Sequence, residues 1–108
     1  MLDVRTKPPA PMPTDSPTDL SDHTLLNHIV RGDEAALALL YDRYCASVYA
    51  LALRIVGERS GAEAVTQEVF RHAWRSAAQI RQSADIRVCF TAITCRFALA
   101  TLPPRASR

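Results

Sequence analysis

Apolar residues recur every three or four positions along most of this chain, and four such runs predict four helices and no strand. The first opens at Leu20-Ser21-Asp22, with Ser21 or Asp22 as N-cap. It carries Leu25, Leu26, Ile29 and Val30 on one stripe and ends at Gly32. Asp33 caps the second, which runs to about Val56 and stops at Gly57. Its stripe is Leu37, Leu40, Tyr41, Tyr44, Val48, Leu51, Ala52 and Ile55. The third begins with the capping box Ser60-x-x-Glu63 and runs to about Gln79. Val65, Val69, Ala73 and Ala77 recur there at four-residue spacing, and Phe70 and Trp74 widen the stripe. The fourth opens between Ser83 and Asp85 and stops before Pro103-Pro104, which cannot continue a helix. Ile86, Val88, Phe90, Ile93, Phe97, Ala98 and Leu99 make it very apolar, so it reads as a core helix sandwiched by the others.

Spacing also assigns faces. On the third helix Val65, Val69 and Trp74 should be largely buried, while Gln67 and Glu68 lie exposed on one side. A helix with one buried stripe and one amide-plus-acid face can build a core and still hold a partner.

The ends differ in composition. Residues 1–19 hold five of the seven prolines, at Pro8, Pro9, Pro11, Pro13 and Pro17, and are expected to form a disordered or extended tail. Residues 20–102 form the helical domain and 103–108 a short C-terminal tail. With 108 residues there is room for one domain.

A net charge of +2 and a pI near 8.6 neither demand nor exclude nucleic acid. No uninterrupted apolar run approaches the length of a membrane span, and Met1-Leu2-Asp3-Val4-Arg5 lacks an apolar signal core. The expected location is cytoplasmic, with no membrane partner. Cys45, Cys89 and Cys95 form no C-x-x-C pair, and His23, His28 and His72 are scattered, so neither a metal nor another cofactor is expected. There is no phosphate loop, no metal-type pairing of carboxylates and no Ser-His-Asp order in a plausible context. An enzyme is therefore the least supported class, and no catalytic residue is assigned.

The segment Gln67-Glu68-Val69-Phe70, followed by basic and aromatic residues, resembles the second conserved region of sigma factors, the bacterial transcription initiation subunits. The resemblance is strongest to the small ECF (extracytoplasmic-function) type. Gly32-Asp33-Glu34-Ala35-Ala36-Leu37, Leu40-Tyr41-Asp42-Arg43-Tyr44 and Val48-Tyr49-Ala50-Leu51-Ala52 resemble that family's preceding helix. The likeness covers roughly residues 20 to 101, and the 108 residues hold no counterpart of the family's C-terminal helix-turn-helix domain.

This resemblance implies a compact four-helix domain that docks on the clamp helices of the largest subunit of RNA polymerase core. Glu63, Gln67, Glu68 and Arg71 would be the docking residues. It further implies contact with the −10 promoter element, for which Arg81, Arg87 and Arg96 are the available basic residues. The chain departs from the family pattern at several positions. Ala64 and Gly61 stand where acids are usual, Cys89 replaces a tryptophan, Arg96 an asparagine and Ala100 an aspartate. Two readings follow: a sigma domain active in initiation, or a truncated or diverged module that docks on polymerase or an anti-sigma factor without productive promoter binding.

Overall fold

The computed structural model describes residues 20–103. The proline-rich residues 1–19, for which a disordered tail is expected, and residues 104–108 lie outside the described part. Among the described residues the fold is all-α, with five helices: α1 Asp22–Val30, α2 Glu34–Val56, α3 Arg59–Arg75, α4 Ala77–Ile80 and α5 Ile86–Ala100.

Most boundaries follow from capping chemistry. Ser21 caps α1, its hydroxyl accepting from the Thr24 amide at 3.1 Å. Asp33 Oδ1 accepts from the Ala35 and Ala36 amides at the head of α2. Gly57, at φ 88°, takes the left-handed conformation that closes α2. Asp85 caps α5 through the Val88 amide at 3.2 Å.

The third helix departs from its expected form at both ends. It starts at Arg59 with Glu58 in the N-cap position, and no side chain caps it. Ser60 Oγ instead donates to Glu58 Oε1 at 2.8 Å, so the Ser60–Glu63 capping box does not form. At its C-terminal end the helix does not reach Gln79. Ser76, at φ −115° and ψ 22°, breaks it in the sparsely populated bridge region. The chain then turns into the short α4, which packs on α1.

The core lies where α2 meets α1, α3 and α5. Leu25, Leu26, Leu40, Val65, Val69 and Phe90 are essentially inaccessible there. An aromatic chain runs through it: Tyr41 meets Phe70 edge-on at 4.7 Å, Phe70 lies 5.6 Å from Phe90, and Phe90 stacks on Tyr44 at 4.9 Å. By length and composition α2 is long and apolar enough to cross a membrane, which no inspection of uninterrupted apolar runs anticipates. Its buried stripe of Ala36, Leu40, Tyr44, Val48 and Ala52 is spent on the domain core.

The last helix is not sandwiched. Its inner face packs on α2 and α3, but Val88 is 61% and Leu99 58% exposed.

Candidate functional site

The outer side of α3 gathers four polar residues. Ala62, Val65, Thr66, Val69, Phe70 and Ala73 are buried against the neighbouring helices, which turns the opposite side to solvent. Glu63, Gln67 and Arg71 follow one another at four-residue steps and are exposed, and Glu68 is partly exposed beside them. Glu68 Oε1 accepts from Arg71 Nη1 in an i,i+3 pair whose side chains are about half exposed. Such a pair contributes less than about 1 kcal/mol, so a partner's charges can replace it at little cost. Val65 and Val69 are buried as their spacing requires, but Trp74 is only half-buried. It sits at the edge of α3, where with Leu37, Phe70, Glu34 and Arg71 it lines an open groove between α2 and α3. Leu37 and Trp74 are visible in their own helical stripes, but nothing local in the sequence says that they meet.

The two positions lacking the usual acids differ physically. Ala64 is exposed and lines a second groove with Val65, Glu68, Phe97, Ala100 and Thr101. A longer side chain there has solvent to occupy. At Gly61, an added Cβ would come within 2.5 Å of Val56 Cγ1, because the end of α2 crosses the first turn of α3. Gly61 therefore reflects a close helix approach.

The three arginines do not converge. Arg81 Nη1 donates to Asn27 Oδ1 on α1 at 3.1 Å. The Arg87 guanidinium lies over the Tyr44 ring of α2, 5.5 Å from its centroid. The Arg96 guanidinium lies 5.4 Å from the Phe97 centroid and acts on His72 of α3. Nine residues separate Arg87 from Arg96, which is two and a half turns, so they stand on opposite edges of α5. Each of the three is thus held against a different helix.

Two further sites escape a reading of the sequence. Asp22, the first residue of α1, accepts from Arg43 Nη1 at 2.7 Å and from the Tyr44 hydroxyl. Burial first, then the Asp22 hydrogen bond and charge, push the Tyr44 phenol up to about 12. The second is His72, whose ring meets Phe97 edge-on at 5.5 Å. Burial first, then the Arg96 and Arg75 charges, hold its imidazole below the usual 6.5. Cys45, Cys89 and Cys95 are half-buried free thiols, and no group of three metal-ligating side chains occurs among the described residues.

Comparison with known proteins finds relatives for part of this chain. The ECF RNA polymerase sigma factor SigK of Mycobacterium ulcerans (strain Agy99) is 38% identical over 55 residues, 51% of this chain and 29% of that protein. SigK of Mycobacterium sp. (strain KMS) is 37% identical over 60 residues, 56% of this chain and 30% of that protein. SigK of Mycobacterium bovis (strain BCG / Pasteur 1173P2) is 34% identical over 55 residues. The matched region spans less than a third of the length of these relatives. No family model and no solved structure matches the chain. Over about half its length, then, the chain is homologous to a region of ECF RNA polymerase sigma factors.

Proposed function

We propose that this domain acts in transcription initiation by docking on RNA polymerase core through the outer side of α3, as the polymerase-binding part of an ECF-type sigma factor. One observation carries the reading: Glu63, Gln67, Glu68 and Arg71 share a single solvent-facing side of one rigid helix. These are the positions that the resemblance matches to the family's contacts with the clamp helices of the largest subunit. The protein is read as a transcription factor domain and not as an enzyme, working in the cytoplasm where polymerase is. A pull-down with a clamp-helix fragment tests this. Wild type is expected to bind and Glu68→Lys to lose most of the binding; equal retention of both proteins would remove α3 as the docking face.

A contribution to −10 promoter recognition belongs to the same reading, through Arg81, Arg87 and Arg96. A second reading, an interaction module that docks on polymerase or an anti-sigma factor without productive promoter binding, is favoured by the divergence of those arginines. Half-buried Cys89, where the family has tryptophan, also offers little area for stacking a base. Anisotropy titration of single-stranded −10 DNA against a scrambled strand separates the two. Sequence-selective binding lost in Arg87→Ala supports the promoter role, and weak, unselective binding supports the module.

A further inference from the structure

The outward side of α5 combines features that the docking face on α3 does not use. Val88, Ala92, Cys95 and Leu99 follow at spacings of four, three and four, the repeat of a helix-packing seam. Val88, Ala92 and Leu99 are exposed and Cys95 is half-buried. The seam runs about 16 Å, three turns of helix. No Asp or Glu occurs from Ile86 to Ala100. Arg87 flanks the seam on the α2 side near one end, and Arg96 flanks it on the α3 side near the other, about 14 Å further along the axis. Each guanidinium rests on an aromatic ring, Tyr44 or Phe97, and neither pairs with a carboxylate among the described residues. An apolar stripe with a positioned cation on each edge is therefore open to solvent.

We infer that this face is a docking site for an amphipathic helix of a partner protein whose apolar stripe is flanked by acidic residues on both sides. Charge decides the occupant. The partner's carboxylates must lie on opposite flanks, two to three turns apart, to meet Arg87 and Arg96. A second copy of this chain would bring the same helix, which carries no acid from Ile86 to Ala100 to set against these arginines. A nucleic-acid strand would bring its phosphates against the apolar seam, with only one arginine on each edge to receive them. The site lies on α5 and meets the α3 face only at the groove that Ala64 and Glu68 share with Phe97 and Ala100. Because it uses Arg87 and Arg96, it rests on the second reading, in which those arginines do not read the promoter.

The probe is a labelled helical peptide of about 20 residues, with a leucine stripe at heptad spacing and glutamate on both flanks; a twin carries lysine on the flanks. The full chain is titrated with each by fluorescence anisotropy, and amide chemical shifts locate the contact. The acidic peptide is expected to bind about tenfold tighter than its lysine twin, with shifts confined to α5. Leu99→Gln should weaken binding several-fold, and Arg87→Glu with Arg96→Glu should reverse the preference between peptides. Arg87→Lys with Arg96→Lys should keep it, which separates charge recognition from loss of folding. Equal binding of the two peptides, or shifts centred on α3, would overturn the inference. So would concentration-dependent dimerisation abolished by Leu99→Gln, which would give the face to a second copy, or displacement of the peptide by single-stranded −10 DNA. Glu63→Lys, on α3 but outside that groove, should leave peptide binding unchanged, so loss of clamp-helix docking and loss of peptide binding report separately.

Discussion

At the scale of single residues, Asp22 does more for the domain than its position suggests. Because Ser21 supplies the α1 cap, the Asp22 carboxylate is free to reach across to Arg43 and Tyr44 of α2. Asp22→Ala leaves the Tyr44 hydroxyl without this acceptor and Arg43 without this anion, and should destabilise the fold by about 1–3 kcal/mol in urea titration. Tyr44→Phe removes only the hydroxyl and should cost less. The raised phenol gives a pH signature as well. Below the unfolded tyrosine value of 10, Tyr44 is protonated in both states and its contribution is complete. Between 10 and about 12 the unfolded chain releases its proton first, so stability should fall through that window, and Tyr44→Phe should flatten the loss. His72 has the opposite sign: its folded value is depressed, so the unfolded chain takes up the proton first as pH drops past 6.5, and stability should decline. Neither site is legible in the sequence, since Asp22 and Tyr44 lie 22 residues apart and His72 meets Arg96 only through packing.

The helices themselves were largely legible, because capping and periodicity are local. Ser21, Asp33, Gly57 and Asp85 end or begin their helices where the sequence places them. The break at Ser76 was hidden for a physical reason. A single residue in the bridge region leaves the buried stripe in phase, so Val69, Ala73, Ala77 and Ile80 read as one uninterrupted helix. The junction of α2 and α3 carries two predictions. Gly57→Ala places a Cβ at φ 88° and should cost about 1 kcal/mol by thermal or chemical denaturation. Gly61→Ala would ordinarily stabilise a helix by up to about 1 kcal/mol, but the contact with Val56 should cancel that gain. In a Val56→Ala background the gain should return, and a double-mutant cycle by urea unfolding measures the coupling.

Over the whole molecule, the two families of polar residues behave differently. The α3 set stays together because it shares one helix, so its exposed side could be read from spacing alone. Ala64→Glu points into that open side and should strengthen clamp-helix binding by on the order of 1 kcal/mol, measured against wild type by calorimetric titration. The arginine set scatters because its members face α1, α2 and α3 in turn. Nine-residue spacing already implied opposite edges for Arg87 and Arg96, whereas the hold of Asn27 on Arg81 needed the tertiary fold. Affinity for single-stranded −10 DNA should accordingly be low, differ little from that for a scrambled strand and vanish as salt rises. One feature also makes the molecule its own instrument. Trp74 is the only tryptophan in the chain, and it stands half-buried on the rim between α2 and α3 beside Arg71. Its indole emission therefore reports from a single point. A partner settling on the Arg71 side of α3 would strip water from that ring and shift the emission to the blue, while an occupant of α5 would leave its colour nearly unchanged. An unlabelled protein in a cuvette can thus tell which of its two faces is engaged.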